Sequence, residues 1–177
     1  SIDVSNMTNF DTLTLFNGVN SVTVGTNNFN ITGGTNNDTL IYAASNLTSA
    51  DTVNGNGGTD SISITGGGSA DVTNVSDVDT ITLASGTSLT VGATNFNITG
   101  STGGNDTLIY AAANLTSADV ANGVTGTDAI QLSSAGTSID VSNMTNFDTL
   151  TLFNGTNSVT VGTNDFAITG GSGNDTL

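Results

Sequence analysis

An Asp followed by a small residue and then Leu or Ile recurs eight times along the 177 residues, at Asp11, Asp38, Asp60, Asp79, Asp106, Asp128, Asp148 and Asp175. The gaps between successive members run 27, 22, 19, 27, 22, 20 and 27 residues. A longer rhythm contains this one. Ser1-Ile2-Asp3-Val4 returns as Ser69-Ala70-Asp71-Val72 and as Ser138-Ile139-Asp140-Val141, which divides the chain into copies at 1–68, 69–137 and an incomplete one at 138–177. The first and third copies agree at 35 of their 40 shared positions, better than either agrees with the second, which suggests a longer unit of about 137 residues. Self-similarity at a period of tens of residues is the mark of a repeat architecture, in which each unit buries its apolar face against the next. Each full copy carries three Asp-centred strands. The coil is expected to run on beyond Ser1 and Leu177, because neither end shows the polar capping repeat of a free-standing solenoid.

Within a copy the apolar residues alternate with polar ones, as in strands with one face inward. Leu13 and Leu15 flank Thr14, Val22 and Val24 flank Thr23, Phe29 and Ile31 flank Asn30, and Leu40 and Tyr42 flank Ile41. Asn-Gly and Gly-Gly pieces separate these runs, and both residue types accept the positive φ of tight corners. The chain has no Pro, so every strand can donate its backbone N–H groups to the next rung. The segment 46–53, repeated at 114–121, breaks the alternation and reads as a corner loop. The expected fold is all-β: a parallel β-solenoid of about seven rungs, three per 68–69-residue repeat, roughly 35 Å long at the strand spacing of a sheet. Leu13, Leu40, Ile62, Ile81, Leu108, Ile130, Leu150 and Leu177 are expected to form one continuous inward stack.

Charge sets the second constraint. All fifteen acidic residues are Asp, and with no Lys, Arg or His the formal charge is −15. Such a chain has no electrostatic means of holding phosphate backbones or anionic lipid, which argues against nucleic acid and membrane-surface partners. No apolar run approaches the length of a membrane span, so membrane insertion is not expected. No export signal opens the stretch, and any such signal is expected outside it. If the eight Asp residues stack at one place on every rung, neighbouring carboxylates ~4.8 Å apart repel by roughly 3.5 kcal/mol at an effective dielectric of about 20. Seven such pairs rival the whole stability of a domain, ~5–15 kcal/mol. Cations between the rungs would relieve that repulsion, and hard carboxylate and carbonyl oxygens suit Ca²⁺ better than Mg²⁺.

At these residues the chain resembles the RTX family, whose Ca²⁺-binding nonapeptide reads G-G-x-G-x-D-x-U-x. Gly170 to Leu177 match its first eight positions; Gly33 to Ile41 depart only at Asn36, and Ser101 to Ile109 only at Ser101 and Thr102. Gly55 to Ser63 and Gly123 to Gln131 keep the first and fourth glycines, the Asp and the Ile. The resemblance implies that Asp38, Asp60, Asp106, Asp128 and Asp175 are Ca²⁺ ligands shared between coils. Asp11, Asp79 and Asp148 have no Gly turn and are candidate ligands through the ladder alone. Members of that family are exported bacterial toxins, enzymes, adhesins and surface-layer proteins. The resemblance therefore implies an extracellular place, at a bacterial cell surface.

The bland reading of each ladder Asp is a turn residue that accepts backbone hydrogen bonds just before a strand. Asp3, Asp71 and Asp140 alternate with inward residues and are expected to face solvent; Asp51, Asp77, Asp119 and Asp165 are expected to be loop charges. An enzyme is not expected, since His, Glu, Lys and Cys are missing and the closest carboxylate pair, Asp77 with Asp79, occurs in one copy only. The expected role is structural: a calcium-stabilised filament, stalk or surface layer whose partners are copies of itself. The alternative is an adhesin or ice-binding module using outward Thr and Asn. Against it, Thr12 and Thr14 are expected beside Thr39 and Ile41 and then Ser61 and Ser63, which would break a flat Thr array.

Overall fold

The computed structural model describes all 177 residues, which wind into a β-solenoid of about eight turns. Its twenty strands are short, and every paired strand runs parallel to its neighbours. The two helical pieces are single 3-10 turns, Ala44–Asn46 and Ala112–Asn114. No helix is long and apolar enough to cross a membrane.

Three faces make up the rod. An eight-stranded sheet stacks Ile2, Val22, Leu40, Ile62, Ile81, Ile98, Ala121 and Met144 in that order. From Ile2 to Met144 this takes seven steps of 17 to 23 residues, so one turn averages about 20. A six-stranded sheet stacks Ala70, Leu89, Leu108, Ile130, Leu150 and Ile168. The third face carries a four-stranded sheet, Leu13, Ile31, Val53 and Val75, and farther along the rod the pair Ile139 with Val159. The inward residues of all three faces form one apolar core, in which Tyr42 and Tyr110 are the largest fully buried side chains. Alternation is the cause: in Thr39–Ala43, Leu40 and Tyr42 are buried and their neighbours half-buried.

The expected single inward stack does not form. Equivalent strands of the three copies, Thr12–Thr14, Thr80–Thr82 and Thr149–Thr151, lie in the four-, eight- and six-stranded sheets respectively. Leu40, Ile62 and Ile81 therefore stack on one face, and Leu108, Ile130 and Leu150 on another. Leu13 belongs to the third and is only half-buried, and Leu177 is exposed. This separation leaves the coil intact, because it follows from the length of the repeat: 68–69 residues make three turns plus about a third, so each copy is rotated one face relative to the last. The Asp gaps show how. Those of 19, 20 and 22 residues are single turns within a face, whereas each gap of 27 runs one turn and then crosses to the next face.

The same rotation changes the neighbours of the outward residues. Thr12 and Thr14 sit beside Asn30 and Thr32, then Thr52 and Asn54, and not beside the Thr39 strand. The corner loop at 46–53 is present, entered through the 3-10 turn and ending where the strand Thr52–Asn54 begins. Leu108 lies at the centre of the six-stranded stack with no exposed surface. Leu108→Ala is expected to cost ~2–5 kcal/mol, and Thr107→Ala, one residue away on the outward side, well under 1 kcal/mol. Urea unfolding of the two variants checks this.

Candidate functional site

Where a strand turns into a corner, its backbone leaves the sheet and its N–H groups lose their partners in the next coil. Where an Asp precedes the strand of the neighbouring coil, its carboxylate restores one. The amide of Asn20 donates to Asp38 Oδ1 (2.9 Å), that of Asp38 to Asp60 Oδ1 (2.7 Å), and that of Asp60 to Asp79 Oδ2 (2.7 Å). On another face the amides of Thr87, Asp106 and Asp128 donate to Asp106, Asp128 and Asp148 at 2.9, 2.8 and 2.8 Å. A third row starts with Asn157 donating to Asp175 Oδ1 (3.1 Å). Each row thus extends its sheet by one hydrogen bond per coil.

The structure brings six of the eight candidate residues together as two rows of three, and the expected line of eight is not formed. Asp11 stands apart and exposed, and Asp175 pairs with Asn157 alone. Phe96 stacks over the Asp79 position and Phe166 over the Asp148 position, so each row ends at a Phe. The third-turn rotation is the reason, since it moves each copy's aspartates to a new corner. Four neighbouring pairs remain of the expected seven: Asp38 with Asp60, Asp60 with Asp79, Asp106 with Asp128, and Asp128 with Asp148.

The members of a row differ in how fully their oxygens are engaged. Asp38 Oδ1 also accepts from Asn20 Nδ2 (2.8 Å) and its Oδ2 from the Gly34 amide (2.8 Å). Asp106 Oδ2 likewise takes the Ser101 amide and hydroxyl, at 2.8 and 2.9 Å. In the middle positions the matching turn amides are captured elsewhere: Asn56 donates to Asn54 Oδ1 and Val124 to Asn122 Oδ1. Both residues adopt positive φ, 73° and 74°, to reach those side chains. Asp60 Oδ2 and Asp128 Oδ2 are consequently buried without a partner. Burial, and then the charges of Asp38, Asp79 and Asp77, push the Asp60 carboxyl above its ordinary value against the pull of the Asp38 amide. Burial, with Asp106 and Asp148, does the same to Asp128.

Calcium would need six to eight oxygens at one point. No three acidic side chains converge in that way. Both oxygens of Asp38 and of Asp106, and Oδ1 of Asp175, already face hydrogen-bond donors, which a cation would have to displace. No family model, curated protein or solved structure matches the chain.

Two buried carboxylates were expected to be loop charges. Asp51 Oδ1 takes the Phe29 amide (3.1 Å), and its Oδ2 the amide and hydroxyl of Thr48. Asp119 Oδ2 binds Thr116 in the same way. They are buried because they pin the corner loop that follows each 3-10 turn. The Thr-Ser-Ala-Asp spacing, a capping-box pattern, carried that signal. The Tyr42 and Tyr110 hydroxyls are buried without partners, and burial, with Asp51 and Asp119 nearby, pushes both phenols up. Asp77 and Asp165 are exposed, as expected of loop charges. Asp3 is exposed too, whereas Asp71 and Asp140 are half-buried; each closes a turn with the amide two residues on.

A carboxyl whose folded pKa is raised binds its proton more tightly when folded. Its contribution is fully present below the ordinary value of 3.8 and is lost as the pH climbs through the raised value. The protein should therefore melt at higher temperature as the pH falls from 7 toward 4.5. The Asp60→Asn, Asp128→Asn double variant should show a shallower slope in the same melting series.

Proposed function

We propose that the chain is a structural segment, a length of β-solenoid rod that assembles with further coils of its own kind into a filament, stalk or surface layer outside a bacterial cell. The observation that carries this reading is that successive copies of the repeat bury one another's apolar residues. Ile2, Met7 and Phe10 are 38, 45 and 57% exposed. Their equivalents in the second copy, Ala70, Val75 and Val78, and in the third, Ile139, Met144 and Phe147, are buried beneath the preceding coil. Coils of this repeat are thus complementary to one another. Extracellular placement draws on the resemblance of the Gly-rich turns and on a surface of Thr, Asn, Ser and Asp without cationic side chains.

A binding module is the second reading, and one observation favours it. The outward rows Thr12, Asn30, Thr52 and Thr14, Thr32, Asn54, Ser76 run unbroken along the four-stranded sheet. On the eight-stranded sheet such rows are interrupted by Ile41 and Val120. A flat array of this kind would suit an ice surface or a hydroxyl-rich ligand.

Sedimentation and electron microscopy of the protein over a range of concentrations test the first reading. Rods longer than one chain and one solenoid wide are expected, favoured by salt because association must overcome a charge of −15. The exposed-site variant Ile2→Ser, Phe10→Ser should keep its fold and lose the association. A monodisperse particle of 17.5 kDa at every concentration and salt would overturn the proposal.

A further inference from the structure

We infer that the aspartate rows are hydrogen-bond ladders that hold without a divalent cation, in which the carboxylate replaces the backbone acceptor that each corner removes. This concerns how the coils hold together and is independent of the assembly proposed above. Three observations carry it. Every carboxylate of the two rows accepts the amide that precedes the strand of the coil below, with donor–acceptor distances of 2.7 to 2.9 Å in all six bonds. Such charge-assisted bonds are short and roughly twice as strong as neutral ones. The first member of each row is engaged on both oxygens, by Asn20 and Gly34 at Asp38 and by Thr87 and Ser101 at Asp106. These donors point their hydrogens at the oxygens that a cation would need.

The third observation is the polarity of the rows. Each starts at a residue that donates to the first carboxylate, Asn20 or Thr87, and ends where a Phe takes the next place. The amides of the first two members of each row serve the carboxylate of the next, those of Asp79 and Asp148 donate back to the carbonyls of Asp60 and Asp128, and the carbonyl of every member accepts from the following coil, as Asp38 does from Ser61 and Asp106 from Ala129. Each Asp is therefore donor, backbone acceptor and side-chain acceptor at once. A ligand role would ask it to give up the third.

Position within the row makes the inference testable. An Asn at position 38 or 106 has one acceptor oxygen for donors that arrive on two sides, so its amide group must face an N–H. An Asn at 60 or 128 keeps the Oδ1 bond and places its amide where the carboxylate oxygen had no partner. Thermal melts of the protein and of Asp38→Asn, Asp106→Asn, Asp60→Asn and Asp128→Asn are recorded in excess chelator and in millimolar Ca²⁺, with calorimetric titration of Ca²⁺ into the unaltered protein. Asp38→Asn and Asp106→Asn should melt several degrees lower, a shift that the loss of one charged hydrogen bond commands in a chain of this size. Asp60→Asn and Asp128→Asn should melt at the original temperature or above it. None of these values should depend on calcium, and the titration should show no heat of binding. A calcium-raised melting temperature in the unaltered protein, or equal losses at all four positions, would overturn the inference. If Asp38→Asn and Asp106→Asn do not fold, the unaltered protein decides it, since a bridging cation would make its melting temperature calcium-dependent and give a heat of binding.

Discussion

Hydrogen bonds that run along the rod axis, from each coil to the next, are what the rest of this structure depends on. A parallel strand satisfies its backbone only while both neighbours stay in register, and every corner interrupts that register. A buried amide left without an acceptor costs of order 1–3 kcal/mol, and a rod with several corners in every turn repeats such losses many times. The aspartates answer this by position. Asp38, Asp60, Asp106 and Asp128 are all buried, each at the last residue before its strand, and each receives the amide that the corner would otherwise strand. Asp51 and Asp119 do the same for the loop after the 3-10 turn.

Rotation by a third of a turn per repeat keeps this device tolerable. A chain with fifteen negative charges and no positive side chain could not stack carboxylates indefinitely without a counter-charge. By moving to a new face every 68–69 residues, the repeat caps each row at three and closes it with Phe96 or Phe166. The middle carboxyls then bear the strain of the row. Asp60 and Asp128 are each buried between two like charges with one oxygen unpartnered, and burial first, then the neighbouring charges, raises their proton affinity.

Much of this was legible in the sequence. Alternation at Leu40-Ile41-Tyr42 and the Asp-small-Leu recurrence point to strands, to their inward faces and to Asp at the corner. What the sequence left open was which strands touch. A repeat period does not say how many turns it spans, and treating the 27-residue gaps as single turns merged three faces into one. The strand Asn30–Thr32, which has no Asp before it, is the missing pass: it lies between Asp11 and Asp38 and pairs with Thr12–Thr14. Hydrogen bonding was hidden for another reason. Whether Asp faces an amide or a cation depends on where the turn's own N–H groups point, and at Asn56 and Val124 that is decided by side chains two residues away.

The account stands or falls on the amides that have a carboxylate as their acceptor. Residue-resolved hydrogen exchange by NMR measures them directly, at Asp38, Asp60, Asp106 and Asp128. If the rows are hydrogen-bond ladders, these amides exchange as slowly as those of the strand residues Leu40, Ile62, Leu108 and Ile130 that lie two positions on. Exchange at the rate of an unprotected chain, with the strand amides still protected, would contradict it.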